Sequence, residues 1–542
     1  MTSRFGQHVP DILDCLAQLS NDEVPTPPKL ARAMLDLLPE EVWTRPDFVW
    51  LDPFSKSGVF LREIASRLFD SLADWEPDFV KRREHILRNM LFGASITAMT
   101  GIISRRSLYC AADASSTHSV VMFNDSAGNL PFVPAEHDFT KGDRCRLCNA
   151  PKELERGDSR ENYAYSFVHG TFPTKEMANM KFDVIVGNPP YQIDSDGNTR
   201  TMPIYQKFVE RAIALDPRYV LMITPSRWFA GGLGLEDFRA GMIADRRLAT
   251  IVDNPKIFDC FPGVKIRGGV SYFLWNRDHD GDCEFSTRID GQIISTMTRD
   301  LRGGDGVLMR DNHAATIVER IRHKHQGPWL ETIVSSRIPY GASLATNFNQ
   351  DQPEPFDGSV ALIKGNGSGF MRPDQIERNH SWIEQWKVLL PKAGSGDTPI
   401  DDRGRIVDVV TGAPIVVAPG SVSTDTYLVA GRFDTPIEAE NYGYYLATKF
   451  VRFLVLQRKV TQDMVPDRFR FVPMLDMTRR WTDEDLCEHF GLAEDERAYI
   501  EQSIKPRSVN LSLDSPIPAS HLPGGSKYRP GKQVNDEPEG DA

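Results

Sequence analysis

Amphipathic helical segments alternate with short hydrophobic runs from residue 25 to residue 275, and this alternation constrains the fold most strongly. Helical periodicity predicts helices at 25–38, 58–72, 203–215 and 235–243, with a further helix–strand unit at 84–110. Hydrophobic runs predict strands at 48–54, 182–187, 219–223, 248–252 and 269–275. Strands separated by helices favour a largely parallel, doubly wound sheet. We therefore predict an α/β fold whose ligands bind at the carboxyl ends of the strands.

Length and composition indicate a multidomain protein. The chain has 542 residues, whereas single hydrophobic cores stop growing near ~250–300 residues. No run approaches the roughly 20 apolar residues of a membrane span, and the first residues do not resemble a signal peptide. Seven cysteines, an odd number scattered along the chain, do not suggest a disulfide framework. We expect a cytoplasmic protein with reduced thiols and no membrane segment.

Three regions differ in their patterns. Residues 1–325 carry the helix–strand alternation, interrupted by a loop-rich insertion at about 114–180. From 326 to 504 the alternation weakens into glycine-rich, β-like stretches, with helices predicted at 437–458 and 483–504. Residues 505–542 are rich in proline, glycine and serine, which predicts a disordered tail.

The strand predicted at 182–187 ends in the tetrapeptide Asn188-Pro189-Pro190-Tyr191. Prolines fix φ and donate no hydrogen bond, so the tetrapeptide presents carbonyl oxygens beside the Asn188 amide, with an aromatic ring nearby. Such an edge suits a planar amine, because two acceptors that take its hydrogens free its lone pair for nucleophilic attack. A plain strand-to-turn junction explains the same residues, since prolines commonly end strands.

A second motif, LDPFSKSGVF, occupies residues 51–60. An acidic residue followed by small residues and a helix brings the backbone close to a ligand, which suits a nucleotide-like cofactor. The segment matches neither G-x-x-x-x-G-K-[ST] nor G-x-G-x-x-G, so ATP and NAD are disfavoured.

In this order, the motifs resemble those of the gamma-class adenine-specific DNA methyltransferases of bacterial restriction-modification systems. In that family a Thr-Pro segment, a D-P-x-x-G-S/T-G-like loop, N-P-P-Y and a target-recognition domain follow one another. This chain supplies VPTPPKL at 24–30, DPFSKSG at 52–58 and NPPY at 188–191. The resemblance implies a Rossmann-like S-adenosylmethionine-dependent methyltransferase domain at 1–325 and a mixed α/β target-recognition domain at 326–504.

The resemblance also implies the reaction and its participants. The methyl group of S-adenosylmethionine would pass to the N6 amine of adenine at a specific site in double-stranded DNA. A separately encoded restriction endonuclease is a candidate partner, because the sequence shows no nuclease-like set of carboxylates with a lysine. Alternatives are methylation of cytosine N4 or of a protein glutamine, and a non-catalytic DNA-binding subunit of a restriction complex. Asparagine at the first position of N-P-P-Y favours adenine over cytosine as the target base.

Individual roles follow from the same resemblance. Asn188 and the Pro189 carbonyl would accept hydrogen bonds from the target amine, Pro190 completes the catalytic motif, and Tyr191 would stack on an adenine flipped out of the duplex. The implied cofactor residues are Asp52, Pro53, Phe54, Ser57 and Gly58, with Thr26 and Pro27 near the methionine end.

The chain departs from the family pattern in its cofactor segment. Lys56 replaces the first glycine of the loop, and Ser95 stands where an acidic residue would hold the cofactor ribose. Asp113 and Asp125 are alternative candidates for a contact with the adenine ring of the cofactor.

The pair CRLC raises the question of a metal. Cys145 and Cys148 could form half of a zinc site, with His137, Cys110 or His169 as partners. Because no second C-x-x-C occurs, we favour a loop without a metal.

Other segments and residues are candidates for contacts with DNA. The basic segment 451–471 and the glycine-rich loops after 362 are candidates for phosphate contacts. Trp228 and Phe229 could face an extruded base, although we expect core packing for both.

Overall fold

The computed structural model describes residues 26–95, 98–132, 138–147, 152, 166–169, 177, 180–193, 202–262, 268–365, 367–392, 410–459, 463–504 and 510–511. The chain divides into two compact units, Met1–Asn312 and His313–Ala542. Within the described ranges, no helix is long and apolar enough to cross a membrane. The functional division that we place between residues 325 and 326 stays a prediction.

Unit 1 contains an eight-stranded sheet with the order β2-β1-β3-β6-β8-β7-β9-β10. Its strands are β1 (Trp50–Asp52), β2 (Leu91–Gly93), β3 (Val184–Gly187), β6 (Tyr219–Pro225), β7 (Leu248–Asn254), β8 (Val270–Asn276), β9 (Cys283–Ile289) and β10 (Gln292–Arg299). A separate hairpin pairs β4 (Gln192–Ile193) with β5 (Met202–Pro203). In the large sheet, β8 and β10 run antiparallel to their neighbours, and the other pairs are parallel. The predicted α/β class with a largely parallel sheet is confirmed.

Helices connect these strands. They are α1 (Pro28–Leu35), α2 (Val59–Ser71), α3 (Phe79–His85), α4 (Ala98–Tyr109), α5 (Ser166–His169), α6 (Tyr205–Ala214) and α7 (Glu236–Ala244). Short 3₁₀ turns cover Glu40–Trp43, Ser226–Phe229, Ile257–Asp259 and Leu301–Gly304, and a π-helical turn covers Ile86–Met90.

The start of α1 differs from the sequence interpretation. The helix that we predicted at 25–38 begins at Pro28, and its N-cap residue, Pro27, makes no side-chain capping hydrogen bond. Pro28 then takes the first helical position, where its missing N–H has no intrahelical partner to lose.

Both faces of the sheet are buried at β3, which explains the uninterrupted hydrophobic run before Asn188. Val184 and Val186 pack into one core cluster, whereas Ile185 packs into the cluster on the other face. Side chains of a strand alternate between faces, so a strand covered on both sides needs apolar residues throughout.

Unit 2 contains two smaller sheets, ordered β12-β11-β15 and β16-β13-β14-β17. Its strands are β11 (Val360–Lys364), β12 (Gly367–Met371), β13 (Trp386–Pro391), β14 (Ile415–Val417), β15 (Ser421–Ser423), β16 (Tyr427–Phe433) and β17 (Asn510–Leu511). Its helices are α8 (Asn312–Lys324), α9 (Pro436–Ala447), α10 (Lys449–Leu456), α11 (Asp483–Phe490) and α12 (Glu494–Ser503). Short 3₁₀ turns cover Leu330–Thr332, Ala342–Leu344, Pro373–Gln375, His380–Trp382 and Pro466–Phe469.

Each long helix predicted in unit 2 is a pair of helices. The first pair is separated at Thr448, whose hydroxyl caps α10. The second pair is separated after Gly491, which ends α11 with φ 65°. A glycine in this left-handed conformation commonly ends a helix. Within 505–542, only Asn510–Leu511 is described, and it pairs with β14.

Candidate active site

The two sequence motifs meet at the carboxyl edge of the sheet in unit 1. Strands β1 and β3 are parallel neighbours, with Leu51 opposite Ile185. The loops that follow Asp52 and Gly187 therefore leave the sheet side by side. A methyl group added at Gly187 would lie 3.1 Å from Oδ1 of Asp52 and 2.8 Å from the ring of Phe54. This close approach explains why glycine precedes Asn188.

Asp52 is a buried carboxyl group at the end of β1, with 2% of its surface exposed. Its Oδ1 accepts a hydrogen bond from the Phe54 N–H at 3.1 Å. Burial raises the pKa of Asp52 to about 7, although that hydrogen bond and the charge of Lys56 favour the ionised form. A positive charge bound nearby would therefore shift Asp52 towards its carboxylate.

Helix α4 fixes the loop that follows Asp52. The hydroxyl groups of Ser55 and Ser104 lie 2.6 Å apart in a buried hydrogen bond, and Ser107 donates to the Ser57 carbonyl at 2.8 Å. Gly58, the N-cap of α2, has φ 74°, and a Cβ there would lie 2.8 Å from Oγ of Ser104. The loop thus needs glycine at 58 for both its conformation and its contact with α4.

Two polar side chains of the same loop are buried. Lys56, which replaces the family glycine, is 8% exposed. The Ser57 hydroxyl is buried and has no hydrogen-bond partner among the described residues. An unsatisfied buried hydroxyl costs about 1–3 kcal/mol, so a ligand that satisfied Ser57 would gain affinity.

The N-P-P-Y segment follows β3 with its first residue buried and its last partly exposed. Asn188 is 3% exposed. The Tyr191 ring packs edge-to-face on Phe261, with 6.4 Å between ring centroids. Its hydroxyl is buried without a partner in the described part of the chain, and burial raises the pKa of Tyr191 far above its usual value. Tyr191 is therefore a neutral ring whose hydroxyl end is buried.

Sequence reasoning missed a charged cluster at the ends of β6 and β7. Asp253 is fully buried, accepts a hydrogen bond from the Ser226 hydroxyl at 2.7 Å, and binds Arg310 through two contacts of 2.8 Å. Strand β6 lies beside β3, with Gly187 opposite Met222, so the turn at Ser226 follows the neighbouring strand at the same edge. The available signal was Asp253 at the end of a hydrophobic strand, as at Asp52.

The residues expected near the cofactor's methionine end lie at the start of α1. Thr26 is buried, and the Pro27 carbonyl accepts hydrogen bonds from Leu30 and Ala31. The described contacts do not join either Thr26 or Pro27 to Asp52.

The residues considered for contacts with the cofactor's ribose and adenine form hydrogen bonds with nearby residues of the chain. Ser95 is buried and donates its N–H to the Pro131 carbonyl at 3.1 Å. Asp113 accepts hydrogen bonds from Ser115, and Asp125 accepts from the Ala127 N–H at 2.7 Å. Both carboxylates thus stabilise turns of their own loops.

Trp228 and Phe229 pack in the core, as expected, with 0% and 1% of their surfaces exposed.

In unit 2, the structure does not favour phosphate contacts for the basic segment 451–471. Arg452, Arg458 and Lys459 are buried there, and Arg458 binds Asp467 at 2.7 Å.

The fold is an α/β sheet at whose carboxyl edge the two motif loops lie side by side. The model of the Eco57I restriction-modification methylase family matches residues 89–261, which include N-P-P-Y. An adenine-specific methylase of Mycoplasma pneumoniae is 37% identical over 320 residues, which cover 53% of this chain and 74% of the relative. The chain therefore belongs to the adenine-specific methylase family. The predicted family and enzyme class are confirmed.

Two solved structures align with parts of the chain. The methyltransferase subunit of a type I restriction-modification system from Streptococcus thermophilus aligns with a TM-score of 0.33, 13% identity and 53% coverage of each chain. This chain thus spans about half the length of that subunit. The DrdV–DNA complex aligns with a TM-score of 0.44 and 12% identity, covering 85% of this chain and 58% of that one.

Proposed function

We propose that the protein methylates the N6 amine of adenine at a specific site in double-stranded DNA, with S-adenosylmethionine as donor. The observation that carries this proposal is the adjacency of the two loops, with Gly187 and Asp52 in close approach. A methyl donor bound by the loop after Asp52 would lie next to an acceptor amine held by the N-P-P-Y segment after Gly187. Proximity of this kind can supply about 7–11 kcal/mol of the barrier reduction.

The loop after β1 fits a cationic, nucleotide-like donor. Asp52 offers a buried carboxyl group, and Ser57 offers a buried hydroxyl without a partner among the described residues. S-adenosylmethionine supplies an activated methyl group on a positively charged sulfur when bound. We assign its contacts to Asp52, Pro53, Phe54, Ser57 and Gly58, with Thr26 and Pro27 near the methionine end.

The N-P-P-Y edge would activate the acceptor amine. The Asn188 side-chain oxygen and the Pro189 carbonyl accept its two hydrogens, and Pro190, which has no N–H, leaves the edge free of competing donors. The nitrogen lone pair would then be free to take the methyl group that S-adenosylmethionine supplies. One amine proton leaves to water, because the methylated nitrogen is strongly acidic until it loses that proton.

Tyr191 would hold the flipped base by stacking. Its hydroxyl end is buried, while part of the residue stays exposed. An aromatic face contributes about 1–3 kcal/mol per stacked base. Flipping is required because a paired, stacked adenine cannot present its amine in line with a methyl donor.

We assign catalysis to residues 1–325 and target recognition to 326–504. Two arginines of unit 2 are pre-oriented on aromatic rings, since Arg479 lies 3.9 Å from the Trp481 ring centroid and Arg480 lies 3.4 Å from that of Tyr444. Both arginines are exposed, and guanidinium groups held flat in this way suit phosphate contacts. We further propose a cytoplasmic location and a separately encoded restriction endonuclease as partner.

Transfer of a labelled methyl group from S-adenosylmethionine to DNA tests this proposal. Wild-type protein should label DNA that contains the target site, and Asn188→Ala should reduce the rate by on the order of 10²-fold or more. The matched control is Asn89→Ala, an exposed position in the same unit, which should retain the wild-type rate. Unchanged transfer by Asn188→Ala would refute the assigned chemistry. Binding without transfer by wild type would support a non-catalytic DNA-binding subunit.

A further inference from the structure

An exposed arginine lies in the turn that follows β6. In this turn, Ser226–Phe229, Arg227 is exposed and the other three residues are buried. Strand β6 is the parallel neighbour of β3, which leads into the N-P-P-Y segment. Because parallel strands end at the same edge of a sheet, the turn lies at the edge where the acceptor amine would bind.

The charge of Arg227 acts close to the N-P-P-Y segment. Burial raises the pKa of Tyr205, and the positive charges of Arg227 and Arg239 oppose that rise. Tyr205 begins α6 directly after Ile204, whose N–H donates to the Tyr191 carbonyl at 3.2 Å. The guanidinium of Arg227 is therefore within electrostatic range of the chain that adjoins the proposed stacking residue.

The turn that carries Arg227 is fixed on both sides. The Ser226 N–H donates to the Gly269 carbonyl at 3.0 Å, and the Ser226 hydroxyl donates to the buried Asp253 at 2.7 Å. After the turn, the Gly231 N–H donates to the Arg227 carbonyl at 2.8 Å. A methyl group added at Gly231 would lie 2.8 Å from Cγ of Arg227, so glycine leaves room for the arginine stem. The backbone that presents the guanidinium is thus ordered before a ligand binds, which lowers the entropic cost of a contact.

The positive charge of Arg227 is not neutralised by a carboxylate within the described ranges. At the same edge, by contrast, Arg310 binds the buried Asp253 through two contacts of 2.8 Å. A guanidinium group carries five N–H donors in a planar fork that matches a phosphate group. Arg227 is therefore an exposed cation whose hydrogen-bonding capacity suits an anionic ligand.

We propose that Arg227 binds a backbone phosphate of duplex DNA at the acceptor edge of unit 1. Extrusion of a base carries its nucleotide out of the duplex, so the flanking phosphates must approach the edge that holds the amine. A guanidinium at this position would fix the register of the DNA without reading its sequence. The inference rests on the proposed function and adds a contact made by unit 1 to those assigned to Arg479 and Arg480 in unit 2.

Binding of the full-length chain to duplex fragments cut from plasmid DNA, measured over a range of salt concentrations without S-adenosylmethionine, tests this contact. Arg227→Ala should weaken binding at least about fivefold and reduce the slope of log affinity against log salt by about 1. Arg227→Lys keeps the charge and should keep the slope. The matched control is Arg246→Ala, an exposed arginine that precedes β7 at the opposite edge of the sheet, and it should bind like wild type. Wild-type affinity and salt slope in Arg227→Ala would overturn the proposal.

A second measurement uses wild-type protein only, so it does not depend on the folding of variants. Phenylglyoxal modifies exposed arginines, and mass spectrometry of the digested protein reports each site. Bound duplex DNA should protect Arg227 and leave Arg246 reactive, whereas equal modification of Arg227 with and without DNA would refute the contact.

The outcomes separate this contact from the proposed reaction. Protection of Arg227 without methyl transfer would support the contact and refute the reaction. Methyl transfer and DNA binding that are both unchanged in Arg227→Ala would refute the contact alone. Wild-type protein that binds none of the fragments would overturn both.

Discussion

Replacing Asp52 by asparagine should change how stability depends on pH. The Asp52 pKa is raised from 3.8 to about 7 in the folded chain. The folded state therefore holds this proton more tightly, and the resulting stabilisation is complete below pH ~4 and lost as pH rises through about 7. At ~1.4 kcal/mol per pH unit, the loss reaches about 4 kcal/mol above pH 7. Asparagine has no such proton, so Asp52→Asn should gain about 3 kcal/mol relative to wild type between pH 5 and pH 8.5, since part of the loss has already occurred at pH 5.

Urea unfolding of the ligand-free protein at several pH values measures this difference. The control Asp70→Asn, at an exposed position of α2, should stay parallel to wild type throughout. The affinity for S-adenosylmethionine should change with pH in the opposite direction to the stability. The wild-type affinity should rise as pH increases through about 7, because a cationic ligand favours the carboxylate, and Asp52→Asn should lose that rise. A constant stability difference between Asp52→Asn and wild type at every pH would refute the reasoning.

Three further substitutions test other parts of the site. Gly58→Ala should destabilise the protein by at least about 1 kcal/mol, because φ is 74° and the new methyl group meets α4; an unchanged melting temperature would contradict this. Tyr191→Phe should leave the free energy of unfolding equal or higher and retain methyl transfer, since the hydroxyl has no partner in the described part of the chain; lost transfer would show that the hydroxyl acts in the reaction. Asp253→Ala should cost about 3–5 kcal/mol in urea unfolding by leaving Arg310 without its buried partner, whereas Asp278→Ala, which breaks an exposed pair, should cost under about 1 kcal/mol. Equal costs for these last two variants would exclude a special role for the buried pair.

Local patterns were sufficient to predict most elements of unit 1. Hydrophobic runs marked strands that are covered on both faces, such as Val184–Gly187, because burial there leaves no polar positions. The β9–β10 hairpin was missed, although Asp290 and Gly291 carry the turn signal with φ 51° and 79°. Strand β10 alternates exposed and partly buried residues, so its hydrophobic signal is weak.

The site itself was only partly predictable. Motif order and the rule for parallel sheets were enough to expect Asp52 and Asn188 at one edge. Two contacts depend on the tertiary fold and have no local signal, because the partners are far apart in sequence. These are the ion pair of Asp253 with Arg310 and the approach of Cys145 to His169.

The most direct test of the central claim is the chemical identity of the product. Purified protein, DNA and S-adenosylmethionine labelled in the methyl group are incubated, and the DNA is digested to nucleosides for mass spectrometry. We predict labelled N6-methyladenine with wild type and its loss with Asn188→Ala. Label in N4-methylcytosine, in protein glutamine, or in no product with any DNA would contradict the assignment.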